Sequence, residues 1–322
     1  MSGRIQGLNA GIVLNGVRAA APDAIRDRAL ADRLLADAED GVPLRPYRRL
    51  LAEALEHDGG VALLRCGELI PSLPHPLVFV LLNSDSPRLL IEKEARLAAF
   101  FHSRHRVRIE AEDARSITLR HTGPESEPPE DAEDLAALGQ HFPLFAEIGC
   151  QDLRCRLPES AAPDRWVYDR GVVAAPEAGG GYALWRLEWT SFTPTRRPMP
   201  GLDETLLAAV GESALDEASG AAARVEQVVR RDLGRTWRVA EVAEVLGFSA
   251  RALQRALAAE GERYSNLLDQ LRNREAARLL RETSFSITEI GYVCGFADGA
   301  HFSRSFKKRH GASPSAYRAA LA

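Results

Sequence analysis

The chain has 322 residues and a formal net charge of −4, and its 45% hydrophobic content is enough for the cores of two domains. The longest unbroken apolar run, Leu77 to Leu82, is far below the roughly 20 residues that a membrane span needs, and the N-terminus lacks the apolar core of a secretory signal. Four scattered cysteines without CxxC spacing suit reduced thiols, so we expect a cytoplasmic protein.

The front of the chain first predicts helices. Helical periodicity with polar faces runs through residues 22–57, where Gly41 and Pro43 separate two stretches. A further helix is predicted over 86–102, with a serine as its cap and Pro87 at its first position. These segments indicate a helical layer in the first domain.

Strand patterns follow. The stretch "HRVRIEAEDARSITLRHTG" (105–123) alternates apolar and polar residues around a polar centre and predicts a β-hairpin. The stretch "ALWRLEWTS" (183–191) predicts a half-buried strand with Trp185 and Trp189 on one face, and core packing is favoured over an apolar pocket because aromatic stripes usually serve burial. The acidic, proline-rich stretch 123–134 predicts an exposed loop.

The rear of the chain differs in charge. From Ala221 to the end there are 17 Lys+Arg and 11 Asp+Glu, whereas residues 1–220 hold 24 and 34. A basic rear behind an acidic front suggests that the rear binds a polyanion. The alternative is that charge drifts between domains by chance, and charge alone does not decide between the two.

Two similar stretches in the rear each predict a helix-turn-helix motif. In the first (239–261), an apolar stripe defines a short helix that Gly247 ends, because glycine permits the backbone of a sharp turn. Ser249 can cap a second helix, on which Leu253 and Leu257 face inward. The outer face of that helix presents Arg251, Gln254 and Arg255.

The second stretch (286–311) repeats the design. It opens with "SITE", a capping box, and Gly295 makes the turn. Asp298 can cap the second helix, which Phe302 and Phe306 anchor inward. The solvent side presents Ala300, His301, Ser303, Arg304, Lys307 and Lys308.

Aligning "LQRAL" with "FSRSF" places Arg255 and Arg304 at equivalent positions of the two recognition helices. The amphipathic stretch 263–282 predicts a long helix that can hold both recognition helices in successive major grooves on one face of DNA. Arginine can bond guanine and glutamine can bond adenine bidentately, whereas Lys307 and Lys308 suit phosphates. The alternative, arginines paired with carboxylates on an ordinary bundle, explains the duplication less well.

With these motifs the rear resembles the DNA-binding domain of the AraC/XylS-type transcription regulators, from about Ala221 to Arg318. The carriers are "AEVLGFSARALQRAL", "RNREAARLL" and "ITEIGYVCGFADGAHFSRSFKKRHGASPSAYR". The resemblance implies seven helices, with base contacts from the positions of Arg251, Gln254, Arg255, Ala300, His301 and Arg304. Two departures stand out: Arg238 replaces the Ser or Thr cap of many members, and Gly299 and Ala300 supply few base-reading groups.

The front resembles the arabinose-binding-like N-terminal domain of one branch of the same family, over roughly residues 10–160. The carriers are "GVPLRPYRRLLAEALEHDGG", "LNSDSPRLLIEKEARLAAFFHSRHRVRIE" and the hairpin that follows. This resemblance implies a sensor for a small-molecule effector and a surface for homodimerisation, with the effector-binding residues unknown. The sequence has no His-x-His pattern of a metal-binding cupin, so a jelly-roll sensor is not expected.

We therefore expect an α+β N-terminal domain followed by an all-α C-terminal domain with two helix-turn-helix motifs joined by a long helix. The expected boundaries are 1–200, a linker at 201–220, and 221–322. The expected function is a sequence-specific, effector-responsive transcription regulator whose partners are double-stranded DNA and RNA polymerase, with no cofactor. The alternatives are a ligand-independent architectural protein, or a DNA-repair alkyl transferase, which needs clustered metal-binding cysteines that this sequence lacks.

Other patterns give no catalytic residue. The sequence contains no GxSxG, GxGxxG, P-loop or HExxH pattern, so an enzyme is not expected. His102 and His105 have metal-binding spacing but no carboxylate or cysteine at usable spacing, so we interpret them as a solvated helix end and expect no metal. Cys150 and Cys155 can be a redox pair, although a reduced structural role is favoured.

Overall fold

The structure is a computed structural model that describes residues 4–5, 7–37, 41–100, 104–195 and 220–321. Contacts divide the chain into two compact units, one comprising Met1–Pro74 with Leu81–Arg196 and the other His75–Val80 with Arg197–Ala322. The predicted linker 201–220 lies outside the described residues, apart from Gly220. Within the described residues, no helix has the length and apolar character that crossing a membrane requires.

Up to residue 195 the chain mixes helices with antiparallel strands, in agreement with the predicted α+β class. The helices are α1 (Gly7–Ala20), α2 (Arg28–Ala36), α3 (Leu44–Asp58), α4 (Val61–Arg65), α5 (Pro76–Leu82), α6 (Pro87–Phe100) and α7 (Asp131–Ile148). The strands are β1 (Arg4–Ile5), β2 (Val42–Pro43), β3 (Arg106–Asp113), β4 (Ser116–Thr122), β5 (Cys150–Gln151), β6 (Arg154–Arg156), β7 (Trp166–Asp169), β8 (Val172–Val173), β9 (Leu184–Glu188) and β10 (Ser191–Phe192).

Six of these strands form one antiparallel sheet in the order β3-β4-β9-β6-β7-β8. The predicted hairpin is its β3–β4 pair, in which Val107 lies opposite His121. Strand β9 joins the other side of β4, with Trp185 opposite Leu119. Trp185 is fully buried and Trp189 is 7% exposed, so both tryptophans pack in the core, as favoured from the sequence.

The predicted helix caps explain where two helices begin. Helix α6 starts at Pro87, and the Ser86 hydroxyl accepts a hydrogen bond from the first turn at 3.1 Å, as predicted. The helical prediction over 22–57 is wrong at its start, because residues 21–27 form turns and bends. Helix α2 begins only at Arg28, behind Asp27, whose carboxylate accepts a first-turn N–H at 3.0 Å.

Helix α7 is missing from the sequence-based prediction. Its first residues, 131–134, belong to the stretch 123–134 that we assign to an exposed loop, and that assignment is wrong for them. Acidic residues are favoured in a first helical turn. Asp134 of this turn is only 5% exposed, and its carboxylate pairs with His121 Nδ1 at 2.7 Å. Pro143 inside the helix also weakens the helical signal.

From Gly220 onward the regular structure of the described chain is entirely helical. The seven helices of this described segment, the number implied by the resemblance, are α8 (Ala221–Arg230), α9 (Val239–Val245), α10 (Ala250–Ala259), α11 (Tyr264–Glu282), α12 (Ile287–Val293), α13 (Gly299–His310) and α14 (Pro314–Ala319). Helix α11 is the predicted long helix between the two motifs.

Helix α11 takes part in the cores of both motifs. Its first half shares a buried cluster with α8, α9 and α10, whose members include Val225, Val229, Val242, Leu253, Leu257, Leu267 and Leu271. Along the rest of its length α11 contacts α12, α13 and α14. Phe302 and Phe306 of α13 are 1% and 0% exposed, which confirms the predicted inward anchors. One helix therefore supports both recognition helices.

Candidate nucleic-acid interface

Helices α9 and α10 form the first helix-turn-helix motif. The carboxylate of Glu241 accepts a hydrogen bond from the backbone N–H of Arg238 at 2.7 Å, which helps to cap α9 without a serine or threonine at its start. Gly247 has φ +72°, the left-handed conformation that a sharp turn requires. The Ser249 hydroxyl accepts a hydrogen bond from Ala252 N at 3.2 Å and caps α10, as predicted.

Helix α10 exposes the three side chains predicted to read bases. Arg251, Gln254 and Arg255 are exposed, whereas Leu253 and Leu257 are 0% exposed. Within the described part of the chain neither arginine has an ion-pair partner. The alternative in which these arginines pair with carboxylates of a bundle therefore finds no support among these residues.

Helices α12 and α13 form the second motif. The predicted capping box is present, since Ser286 N donates to Glu289 Oε2 at 2.6 Å and Glu289 N donates to Ser286 Oγ at 3.2 Å. Gly295 has φ +78° at the turn. The Asp298 carboxylate accepts a hydrogen bond from His301 N at 2.6 Å, so it caps α13 as predicted.

Helix α13 presents most of the predicted contact residues to solvent. The exposed members are Ala300, Ser303, Arg304, Lys307 and Lys308, and Arg309 is exposed beside them. His301 is half-buried because its ring packs edge-on against Phe296 at 5.4 Å and its Nδ1 accepts the N–H of Ala297 at 3.4 Å. The His301 side chain therefore serves the turn as well as the outer face.

The two recognition helices carry positive charge that the described residues leave uncompensated. No ion-pair partner for the following exposed side chains lies in 220–321 or elsewhere in the described ranges: Arg251, Arg255, Arg304, Lys307, Lys308 and Arg309. Elsewhere in the described chain some arginines do pair, as Arg48 does with Glu133 and Arg156 with Glu188, at 2.8 and 3.1 Å. Cations left without carboxylates on two neighbouring motifs attract a polyanion.

Glu260, at the C-terminal end of α10, makes a contact that sequence analysis does not reveal. Its carboxylate accepts hydrogen bonds from Ala221 N at 2.6 Å and Ala222 N at 3.0 Å. These N–H groups belong to the first turn of α8, which has no helical acceptor for them. Glu260 thus joins the end of the first recognition helix to the start of the domain.

A second unforeseen contact joins α11 to α13. Asn273 Nδ2 donates to Ser305 Oγ at 2.7 Å and to Asp269 O at 2.8 Å, and Ser305 Oγ donates to Asp269 Oδ1 at 2.5 Å. Asn273 is 0% exposed. Periodicity assigns position 273 to the buried side of α11, but it gives no sign of a polar partner on another helix.

Of the histidine and cysteine candidates, the structure describes His105, Cys150 and Cys155. His102 lies outside the described residues. His105 is not at a solvated helix end, because its side chain is 17% exposed and packs edge-on against His121 at 4.7 Å. The described residues contain no group of three or more His, Cys, Asp or Glu that could hold a metal ion. Cys150 and Cys155 are buried free thiols, and burial raises the pKa of Cys150 to about 12.

An open depression on the first unit does not identify an effector site. Arg26 pairs with Glu56 at 2.8 Å and Arg49 pairs with Asp27 at 3.1 Å, so the charges along its rim satisfy one another. Glu53, at its base, accepts the backbone N–H of Arg26 at 2.9 Å. The effector-binding residues therefore stay unassigned.

Comparisons with known proteins match the rear of the chain. Residues 242–320 match a family model described as a helix-turn-helix domain. The chain is 32% identical over 91 residues to the HTH-type transcriptional activator CfaD of Escherichia coli, covering 28% of this chain and 34% of CfaD. It is 35% identical over 106 residues to the ornithine utilization regulator of Pseudomonas aeruginosa, covering 33% of this chain and 31% of that protein.

Among solved structures, a DNA-binding transcriptional dual regulator from Escherichia coli K-12 is similar over 34% of this chain and 97% of that chain, with 27% identity and a TM-score of 0.32. The chain spans about a third of the length of the curated relatives it matches. The matched residues 242–320 contain both recognition helices. These residues belong to a helix-turn-helix domain, in agreement with the resemblance of the rear to the DNA-binding domain of the AraC/XylS-type regulators.

Proposed function

We propose that the protein is a transcription regulator that binds specific DNA sequences through α10 and α13. One observation carries the proposal: both recognition helices of a duplicated helix-turn-helix expose cations that have no ion-pair partner among the described residues. In the first unit, for comparison, Arg48 and Arg156 pair with carboxylates. A duplex supplies the missing negative charge along its phosphates.

The types of residue support different roles, base contacts for some side chains and phosphate contacts for others. Arg255 and Arg304 suit bidentate bonds to guanine O6 and N7, and Gln254 suits adenine N6 and N7. Lys307 and Lys308 lie in the last turn of α13 and suit phosphates, which fix the position of the protein without reading sequence.

The length of α11 supports the use of two adjacent grooves. Its 19 residues extend about 28 Å at the usual helical rise, which is comparable to the roughly 34–36 Å of one DNA turn. We therefore propose that α10 and α13 enter successive major grooves of one duplex. A single chain then reads two half-sites.

Selection of bound duplexes from a random pool by the full-length protein, at fixed salt, tests the function. We expect enrichment of a site with two distinct half-sites. The double variant Arg255→Ala/Arg304→Ala should keep weak binding to all duplexes but lose the enrichment, because phosphate contacts persist when base contacts are removed. The proposal fails if the natural chain enriches nothing, or if the double variant enriches the same site.

We further propose that the first unit senses a small-molecule effector, which favours one of two DNA-binding states of the chain. The two-unit organisation and the resemblance of residues 10–160 support this proposal. Candidate metabolites of several chemical classes, added to the binding assay, test it, and failure of all of them at saturating concentration favours the ligand-independent architectural alternative. Homodimerisation and contact with RNA polymerase stay predictions.

A further inference from the structure

The contact between α11 and α13 contains three hydrogen bonds among Asn273, Ser305 and Asp269. Ser305 Oγ donates to Asp269 Oδ1, so its proton is not available to Asn273. Asp269 O can only accept. The Asn273 amide must therefore turn its NH2 group toward both oxygens, which are 2.7 and 2.8 Å away. This arrangement fixes the Asn273 side chain in one orientation.

The aromatic contacts of α13 are apolar and do not specify a direction. Phe302 packs against Phe296 with ring centroids 4.8 Å apart, and Phe306 packs against Tyr317 at 5.3 Å. Burial of rings is favourable in many orientations because the hydrophobic effect is non-directional. A hydrogen bond, in contrast, weakens steeply when its distance or angle changes. The polar contact therefore adds a directional restraint against rotation of α13 about its own axis.

We propose that Asn273, Ser305 and Asp269 form a polar pin that sets the rotation of α13, and so determines which base edges Arg304 reaches. The proposal rests on the proposed DNA-binding function. Arg304 is the residue directly before Ser305. A rotation of about 20° moves a tip roughly 6 Å from the helix axis by about 2 Å. A base contact does not survive this movement, since hydrogen-bond lengths span only about 2.7–3.2 Å.

The second motif needs this positioning more than the first. The start of α13 has Gly299 and Ala300, which offer no side-chain donors or acceptors to bases, so sequence reading there depends on few residues. In the first motif the position equivalent to Ser305 is Ala256, which packs in the apolar core. The first motif also has both Gln254 and Arg255 for base contacts. The polar pin is thus specific to the helix with fewer base-reading groups.

The test measures base discrimination and stability together in the full-length protein. On the site selected by the natural chain, the binding ratio between preferred and substituted base pairs is measured in each half-site. Ser305→Ala breaks the pin and leaves a buried donor on Asn273 without its acceptor. Asn273→Leu/Ser305→Ala replaces two of the three members by apolar groups, and the partly exposed Asp269 carboxylate can then bind water, so stability should be restored. Ser305→Thr keeps the hydroxyl, and Ser265→Ala, on the exposed face of α11, is the matched control.

We expect Ser305→Ala and the double variant each to lose about tenfold of the discrimination in the α13 half-site, the value of one bidentate base contact. In both variants, discrimination in the α10 half-site and the salt dependence of binding should stay unchanged. The double variant should recover the natural thermal midpoint. Ser305→Thr should keep discrimination in the α13 half-site. If the double variant recovers both the midpoint and the discrimination, the contact only stabilises and the inference is wrong. If the natural chain selects no site, the proposed function fails before any variant is compared.

Discussion

Arg255 lies on the outer face of α10 without an ion-pair partner among the described residues, and this position suits a base contact. We expect Arg255→Ala to weaken binding to the selected site by about 1–3 kcal/mol and to relax the preference at one base pair. Titration against a panel of single-base-pair variants measures both effects. Arg278→Ala removes the same charge from an arginine paired with Glu275 and Glu282, so it controls for net charge.

Lys308 belongs to the last turn of α13, where a phosphate contact is expected. We expect Lys308→Ala to weaken binding to all sequences by the same factor and to reduce the slope of log affinity against log salt by about one. Binding measured at several salt concentrations on preferred and unrelated duplexes checks this. A change in the preferred sequence would contradict the assignment to phosphate.

His105 should make the first unit sensitive to acid. Burial, followed by the charges of His121 and nearby arginines, lowers the pKa of His105 to about 3 from 6.5. Between about pH 3 and pH 6.5 His105 is protonated in the unfolded chain but not in the folded one. The contribution of neutral His105 to the free energy of unfolding is therefore fully present above pH 6.5 and is lost as pH falls. We expect the free energy of unfolding of the natural chain to fall between pH 6.5 and pH 5 by up to about 2 kcal/mol more than that of His105→Gln. Urea unfolding at the two pH values measures this difference.

His141 supplies the opposite sign and is the matched control. Its Nδ1 faces the Ala137 carbonyl at 2.7 Å and its Nε2 faces Glu94 Oε2 at 2.9 Å, so both nitrogens donate and the ring is cationic. Burial acts to lower the pKa of His141, but Glu94 and the carbonyl outweigh it and the pKa is raised. The contribution of cationic His141 to the free energy of unfolding is present below pH 6.5 and is lost as pH rises. Above pH 6.5 the stability of His141→Gln should therefore fall less than that of the natural chain.

At the scale of elements, the two turns share a backbone conformation but differ in their surroundings. Gly247 and Gly295 have φ +72° and +78°. A Cβ on Gly247 meets nothing within 4 Å, whereas one on Gly295 would lie 2.0 Å from Leu233 O. Gly247→Ala should therefore lower the free energy of unfolding by about 1–2 kcal/mol, the cost of the left-handed conformation for alanine. Gly295→Ala should cost clearly more, because backbone must move, and urea unfolding of both variants compares them. Equal losses would contradict this account.

The elements also show how far sequence reasoning reaches. The hairpin of β3 and β4 and both helix-turn-helix motifs were predictable, because period, cap and turn residues agree locally. Helix α7 was not, since its acidic start resembles a loop and its charges are satisfied by residues far away in sequence, as in the Asp134–His121 pair. The outer faces of α10 and α13 follow from periodicity, but the bond between Asn273 and Ser305 depends on the packing of two helices.

At the scale of the whole molecule, α11 should fix the distance between the half-sites. We expect insertion of five base pairs between them to abolish high-affinity binding, since the half-sites then face opposite sides of the duplex. Insertion of about ten base pairs restores the face but adds about 34–36 Å, which one continuous helix cannot span. It should therefore fail as well. Recovery of affinity with the longer insertion, measured by titration of the full-length protein, would show that the two motifs separate.

Glu260 has a mechanical consequence for the chain that enters the second domain. One carboxylate holds the N–H groups of Ala221 and Ala222 and also closes α10. We expect a displacement of Gly220 to act through these two hydrogen bonds on the C-terminal end of the helix that bears Arg255. The first recognition helix is therefore hydrogen-bonded to the start of the domain, whereas α13 contacts α11, α12 and α14.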